Sequence, residues 1–162
     1  MNPVQLSIIR QLLFFSIDEA ARWLATNAQH PEGVSRASWM AWESGSDTLP
    51  AYIEERLSEL LDFRLDAIEA ASQPLDDTED EDEEAPLVAL WYEHIEDFTS
   101  LPGHDALFWR PQCSVVAELV ATFGADVTRF DRTAYRKWLK GKTDSQETRA
   151  RWALEAASAE PV

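Results

Sequence analysis

The segment Ser35–Gly45, SRASWMAWESG, combines side chains that could bind a nucleic acid with side chains that usually fill a core. Ser35 can cap a helix, and a serine hydroxyl beside first-turn backbone amides can bind phosphate. The guanidinium of Arg36 can reach a base edge or a second phosphate. Trp39 and Trp42 are three residues apart, so they lie on one helix face, and we interpret both as core residues.

Two histidines, His94 in YEHIED and His104 in PGHDAL, lie near carboxylates and could in principle bind a metal ion. The sequence has no pair of histidines four residues apart, no cysteine cluster and no HExxH motif, so we expect ordinary surface or half-buried histidines. It also lacks a glycine-rich phosphate loop and a nucleophile elbow. We therefore expect no metal, no cofactor and no enzymatic activity.

The composition indicates a globular protein. The chain has 162 residues, of which 45% are hydrophobic, and it contains seven tryptophans. Its one cysteine, Cys113, lies in the apolar stretch PQCSVVAEL, which predicts a buried thiol and no disulfide. The apolar runs are too short to span a bilayer, and the N-terminus lacks the pattern of a secretory signal. We expect a cytoplasmic protein with no membrane partner.

The net charge of −16 is concentrated in one segment. Residues 73–86, QPLDDTEDEDEEAP, contain eight acidic residues and no basic one, which is half of the net charge. Such a run stays extended and solvated, so it predicts a linker between residues 1–72 and residues 87–162. It is either a simple spacer or an acidic arm that competes with DNA phosphate for the protein's own basic surface.

The first 72 residues read as four helices. Apolar residues recur at helical spacing over roughly residues 3–14, and Ser16-Ile17-Asp18-Glu19 forms a capping box for a second helix that ends near Ala25. Ser35 caps the third helix and Gly45 ends it. The fourth helix starts near Pro50 and repeats apolar residues on one face: Ile53, Leu57, Leu60, Leu61, Leu65 and Ile68.

The C-terminal region reads as a mixture of helices and strands. Residues 87–92 and 126–130 predict two short strands, with a helix between them that has Pro111 in its first turn. This order permits a small βαβ-like unit. Asp131 caps a further helix that Gly141 stops, and residues 145–158 predict a last helix anchored by Trp152 and Leu154. The predicted fold is mainly α, with a small α+β region at the C-terminus.

Arg10, the segment SIDEAARWL and the segment SWMAWESG together resemble the lambda-repressor-like (Xre-type) helix-turn-helix family. The placement of both tryptophans, with QCSVVAELVATFG and VTRFDRTAYRKWL, is closer still to the YdiL-like proteins, which include anti-CRISPR-associated repressors. The helix-turn-helix resemblance covers about residues 5–70 and the YdiL-like resemblance extends to about residue 140. The family resemblance implies an N-terminal DNA-binding bundle and an ion pair between Arg10 and Glu43.

On this interpretation the residues left to contact DNA lie on the outward face of the third helix and on the second. They are Ser35, Arg36, Ala37, Ser38, Met40, Ala41 and Arg22. Among the residues on the third helix, only Arg36 has a side chain that commonly reads bases. Met40 and Ala41 occupy positions where a DNA-binding protein usually has polar groups. The loop before the third helix is also longer than the usual turn of three or four residues.

These observations predict a sequence-specific regulator, a repressor, that binds double-stranded DNA as a homodimer through residues 87–140. The region contains five aromatic residues, and aromatic surface commonly marks an interface: Trp91, Tyr92, Phe98, Phe108 and Trp109. The alternative is a protein-interaction module on a helix-turn-helix scaffold that no longer reads DNA. RNA binding is a third interpretation. The basic residues Arg129, Arg132, Arg136, Lys137 and Lys140 are either a solvated face or a supplementary nucleic-acid contact.

Overall fold

The computed structural model of the protein describes residues 1–76 and 86–159. Over these residues the fold is mainly α, with a small α+β region toward the C-terminus, so the predicted fold class is confirmed. The contacts divide the chain into two compact units, Met1–Leu65 and Asp66–Val162. Most of the predicted acidic linker lies outside the described residues, and the predicted domain division stays a prediction.

The first unit is built from helices, and side-chain caps at Asn2, Ser16 and Ser35 mark the starts of the first three. They are α1 (Pro3–Leu12), α2 (Ile17–Glu19) continuing as a π-helical segment (Ala20–Leu24), α3 (Arg36–Ser44) and the first part of α4 (Ala51–Asp76). The Ser16 hydroxyl accepts a hydrogen bond from the Glu19 amide at 3.2 Å, and the Glu19 carboxylate accepts one from the Ser16 amide at 2.9 Å. This is the predicted capping box.

The core of the first unit follows one stripe of α4. Its fully buried members there are Ile53, Leu57 and Leu60, spaced four and three residues apart. The prediction that Leu65 continues this face is wrong, because Leu65 is 60% exposed and Arg64 is buried in its place. A helix stripe alternates steps of three and four residues, and after Leu60 the step of four reaches position 64. The aliphatic stem of an arginine can cover apolar surface there.

The second unit contains a parallel strand pair with a helix in the connection. Its elements are β1 (Val88–Trp91), α5 (Ile95–Phe98), a 3₁₀ turn (Ala106–Phe108), α6 (Trp109–Phe123), β2 (Asp126–Arg129), α7 (Arg132–Leu139) and α8 (Gln146–Ala159). The strands pair in register from Val88 with Asp126 to Trp91 with Arg129. The predicted strand-helix-strand unit is therefore confirmed.

A buried arginine organises the C-terminal part of the second unit. Arg149 is 2% exposed, and its Nε and Nη2 donate to the two carboxylate oxygens of Asp144 at 2.9 and 2.8 Å. Its guanidinium carbon lies 4.6 Å from the centre of the Phe130 ring. Trp152 is buried as predicted, but Leu154 is 41% exposed, so its predicted anchoring role is wrong. Arg149 fills the interior instead because Asp144 and the surrounding rings satisfy its charge.

Candidate nucleic-acid interface

Helix α3 has well-defined ends. At its start, the Ser35 hydroxyl accepts a hydrogen bond from the Ser38 amide at 3.1 Å and lies 2.9 Å from the Ser38 hydroxyl. At its end, Gly45 adopts a left-handed conformation with φ of 75°, which a glycine tolerates without steric cost. The predicted cap and stop of this helix are both confirmed.

The inward face of α3 is aromatic. Trp39 is fully buried and Trp42 is 7% exposed. Their rings meet edge to face with centroids 5.6 Å apart, an arrangement that aromatic pairs prefer. Both tryptophans are core residues, as predicted, and neither indole is positioned to stack on a nucleic-acid base.

An ion pair joins the end of α3 to α1. Arg10 Nε donates to Glu43 Oε1 at 2.6 Å, and Arg10 Nη2 donates to Oε2 at 3.3 Å. Trp39 Nε1 donates to the same Glu43 Oε1 at 2.7 Å, and Arg10 Nη1 donates to the Phe15 carbonyl at 2.8 Å. The structure therefore brings together Arg10 and Glu43, the pair that the family resemblance implies.

Burial and hydrogen bonding act in opposite directions on the Glu43 carboxylate. Partial burial raises its pKa, while the hydrogen bonds from Arg10 and Trp39 lower it, and the net effect places the pKa below its ordinary value of 4.5. The group is therefore ionised at neutral pH. Its charge, together with the two tryptophans, fixes the orientation of α3 relative to α1.

The outward face of α3 carries the residues predicted to contact DNA. Ser35, Arg36, Ala37 and Met40 are exposed, Met40 by 48%, while Ser38 is half-buried. Ala41 is also half-buried, and it lies between the outward face and the core. Arg22 is exposed on the π-helical segment and so belongs to a separate element. The structure thus places the predicted residues of α3 along one short surface whose single cation is Arg36.

Arg36 is paired with an acidic side chain that the sequence analysis did not include in the site. Its Nη1 donates to Asp18 Oδ2, in the first turn of α2, at 2.7 Å. The side chains are 54% and 69% exposed, so water screens this pair and it contributes little to stability. Asp18 nevertheless puts a negative charge beside the one arginine that α3 presents outward. The available signal is the capping box Ser16-Ile17-Asp18-Glu19, which puts an acidic side chain in the first turn of α2.

Arg56 of α4 supports the end of the π-helical segment, and sequence reasoning missed it. Its Nη1 donates to the Leu24 and Thr26 carbonyls, both at 2.8 Å. These backbone oxygens have no partner within the helix, since the segment ends there. The sequence does contain a signal for this contact. Arg56 follows the core residue Ile53 by three positions, so it lies beside the apolar stripe of α4.

The loop before α3 runs close against the π-helical segment. The Val34 amide donates to the Ala21 carbonyl at 2.9 Å, and Gly33 has φ of 81°. A Cβ atom at Gly33 would lie 2.4 Å from the Ala21 carbonyl oxygen and 2.5 Å from that of Arg22. Only a glycine fits this approach, so the long loop has a defined path into α3.

Two of the five basic residues predicted as a patch are engaged with acids. Arg132 Nη2 lies 2.8 Å from Asp97 Oδ1, and Arg129 lies 3.5 Å from the Glu93 carboxylate. The other three are exposed around the end of α7: Arg136, Lys137 and Lys140. The positive surface of the second unit is therefore smaller than the sequence suggests.

Neither histidine in the second unit belongs to a metal cluster in the described part of the chain, where no group of three potential ligands occurs. The His104 ring is tilted by 41° against the Phe98 ring, with centroids 4.5 Å apart, and burial lowers the pKa of His104. His94 precedes α5 and is exposed. Within residues 1–76 and 86–159, every helix is too short or too polar to cross a membrane.

The sequence of this chain matches a known protein family. The model of the Aca2/YdiL-like family matches residues 1–128, which include all of the first unit and the strand-helix-strand unit except its last residue, Arg129. The chain is also 30% identical over 117 residues to the Aca2 repressor of Pectobacterium phage ZF40, covering 72% of this chain and 90% of that relative. These matches confirm the resemblance inferred from Arg10, SIDEAARWL and SWMAWESG. The chain belongs to the Aca2/YdiL-like family.

Proposed function

We propose that this protein is a transcriptional repressor that binds specific DNA sequences through helix α3. The relative from phage ZF40 is itself named a repressor, which supports the regulatory part of this proposal. The observation that carries the DNA-binding part is the division of α3 into two faces. Trp39 and Glu43 hold its inward face in the core, and Arg36 stands near its start on the exposed face.

The docking we propose resembles that of a helix-turn-helix domain, in which the start of the second helix of the motif enters the major groove. Ser35 and the first-turn amides of α3 would contact phosphate, and Arg36 would leave Asp18 to reach a base edge. Arg22 on the π-helical segment would add a phosphate contact. Because few cations are available, we expect modest affinity and a shallow dependence on salt.

We further propose that the protein binds DNA as a homodimer through residues 87–140. Three of the five aromatic residues predicted to mark this surface, Tyr92, Phe98 and Trp109, are buried within the unit and cannot contact a second copy. Other apolar side chains remain exposed there: Val120, Phe123 and Val127. Two copies would place two α3 helices on a symmetric operator and double the number of contacts. Sedimentation that gives only an 18.4 kDa species at micromolar concentration would contradict this pairing.

The test of DNA binding is fluorescence anisotropy with the DNA upstream of the protein's own gene, against a scrambled duplex of equal length. We expect Arg36→Ala to remove the preference for the upstream DNA while the melting temperature stays unchanged, because Arg36 is exposed. Arg22→Ala is the matched control. It should weaken binding to both duplexes alike and reduce the salt slope by about one.

A second candidate function is supported by the Arg36–Asp18 pair and by the exposed Met40. Asp18 neutralises Arg36, the one cation of α3, and Met40 exposes apolar surface on the same helix. With these two features, α3 could bind a protein instead of DNA. Asp18→Asn separates the two interpretations, since it frees Arg36 and removes a charge that repels phosphate. Tighter binding of this variant supports the DNA reader. If neither the parent nor Asp18→Asn binds DNA at low salt, the interaction module is the correct interpretation.

A further inference from the structure

Helix α1 has an apolar face that lies outside the core of its own unit. Val4, Ile8 and Leu12 are 67%, 58% and 41% exposed. They follow one another at intervals of four residues, so they form one stripe along the helix. The opposite side of α1 provides the core residue Leu6 and the buried Arg10. Monomeric proteins usually expose large aliphatic side chains singly, and a continuous stripe of them commonly marks an interaction surface.

The charge around this stripe restricts what can cover it. Residues 1–17 contain no acidic residue, although the chain as a whole has a net charge of −16. The Arg10 guanidinium is neutralised by Glu43, and the N-terminal ammonium of Met1 pairs with Glu54 at 2.6 Å. Two copies of so acidic a chain repel each other over most of their surface, and the ten residues of α1 contain no acidic side chain that would add to this repulsion. A strongly charged partner, acidic or basic, finds no complementary group on this face.

The order of residues along the face is self-complementary. Ile8 lies at its centre, Val4 and Leu12 lie one turn before and after it, and Gln5 and Gln11 flank it on either side. If two copies of α1 pair antiparallel about a two-fold axis through Ile8, Ile8 meets its own copy. Val4 then meets Leu12, a small side chain against a larger one. Two-fold contacts between identical subunits require this kind of pattern.

We propose that the exposed face of α1, defined by Val4, Ile8 and Leu12, is a contact between two copies of this chain, with the helices antiparallel. The conformation of Phe14 supports this assignment. Phe14 has φ of 65° and is 42% exposed, in the position after a helix end where glycine is the usual residue. This strained aromatic residue adds exposed apolar surface directly after the end of α1.

This contact is distinct from the pairing proposed through residues 87–140, and it does not depend on DNA binding. One helix face is smaller than the roughly 1,200–2,000 Å² that stable complexes bury. We therefore expect the α1 contact to be weak alone and to strengthen an assembly that another contact has already brought together. It would join two dimers, or it would add to a dimer with which it shares a two-fold axis.

Disulfide formation tests the proposal in the full-length chain. The parent is a suitable background because its one cysteine, Cys113, is buried. Ile8→Cys places a thiol on the two-fold axis, so we expect a covalent dimer under mild oxidation, formed at least tenfold faster than with Ser58→Cys. Ser58 is an exposed residue of α4 in the same unit and serves as the matched control. Equal rates for the two variants would overturn the proposal.

The antiparallel direction has a separate test. In this arrangement two copies of residue 4 are about 12 Å apart along the helix, which exceeds the reach of a disulfide of about 7 Å between Cα atoms. Val4→Cys should therefore not crosslink with itself, and it should crosslink when mixed with Leu12→Cys. Crosslinking of Val4→Cys alone, without the mixed product, would show a parallel pairing and overturn the antiparallel assignment.

Sedimentation equilibrium measures the same contact without cysteines. Ile8→Glu places two like charges against each other on the axis, and we expect the dissociation constant of self-association to rise at least tenfold. Ser58→Glu adds the same charge elsewhere in the unit and should leave it within twofold of the parent value. Circular dichroism melts check that both variants fold, as expected for exposed positions. If Ile8→Glu associates as tightly as Ser58→Glu, the α1 face is not a self-contact.

Discussion

Glu43 is the residue on which the geometry of α3 depends most directly. Its carboxylate accepts hydrogen bonds from the Arg10 guanidinium and from the Trp39 indole, which belong to two different helices. The side chains of Arg10 and Glu43 are only 10% and 12% exposed. Loss of either one leaves a charge or a polar group in the interior without its partner. The outward position of Arg36 is a consequence of this inward arrangement.

We predict that Glu43→Ala lowers the free energy of unfolding by about 3–5 kcal/mol, because it strands the buried Arg10 charge. Glu43→Gln keeps the shape and an acceptor oxygen, so it should cost less than the alanine variant. Urea unfolding followed by tryptophan fluorescence measures both. An alanine variant as stable as the parent would contradict a structural role for the pair.

The pH dependence of the same site has a definite sign. The folded-state pKa of Glu43 is below its ordinary value of 4.5, so the charged form stabilises the folded protein. That contribution is complete above pH about 4.5 and is lost as the pH falls through the folded-state pKa. We expect the melting temperatures of the parent and of Glu43→Gln to differ by a constant amount between about pH 7 and 5 and to converge below that range. A difference that persists unchanged to pH 3 would contradict the pKa direction.

At the scale of elements, the approach of the loop to the π-helical segment determines where α3 begins. We predict that Gly33→Ala destabilises the first unit by more than the roughly 1–2 kcal/mol typical of a left-handed conformation alone. The added Cβ would lie 2.4 Å from the Ala21 carbonyl oxygen, so the backbone must move. Gly103→Ala is the control, because Gly103 has φ of 87° and no atom within 4 Å of an added Cβ. Equal losses of unfolding free energy for the two variants would contradict this prediction.

Helix boundaries were predictable because capping is a local property of the sequence. Ser16, Ser35 and Asp131 each accept a hydrogen bond from a backbone amide within the next three residues, so the residue types alone mark the starts. The glycine at position 45 marks an end for the same reason. The strand pair was also recognisable, since the apolar run LVALWY and the short run DVTRF, with its β-branched Val127 and Thr128, flank a helical stretch of the right length for a crossover.

Features that depend on contacts distant in sequence were not predictable. The π-helical segment, Ala20–Leu24, has no distinctive residue pattern in the sequence. Arg56 of α4, which is distant in sequence, donates a hydrogen bond to the carbonyl of its last residue, Leu24. Arg149 similarly appears in the sequence as a surface cation of an amphipathic helix. Its burial follows from the position of Asp144 and of rings contributed by other elements. The pairing of Arg36 with Asp18 joins two helices across a long loop, and helical periodicity carries no information about it.

At the scale of the whole molecule, the distribution of charge matters more than its total. Half of the net charge of −16 lies in residues 73–86, and residues 87–141 carry six basic and seven acidic residues. A protein with this charge repels DNA at distances up to about the Debye length, roughly 8 Å at physiological ionic strength. The acidic residues of segment 73–86 therefore oppose a DNA contact through Arg36 only where they come within that distance of it.

We predict that neutralising the eight acidic residues of segment 73–86, with Asn for Asp and Gln for Glu, increases affinity for both upstream and scrambled DNA at low salt. The gain should shrink as salt is added, because screening removes the repulsion in the parent as well. A variant with the same residues of this segment in permuted order keeps the charge and should bind like the parent. Anisotropy titrations at two salt concentrations measure all three proteins. If the neutralised variant binds no more tightly than the permuted one at low salt, the segment is a spacer and its charge does not regulate DNA binding.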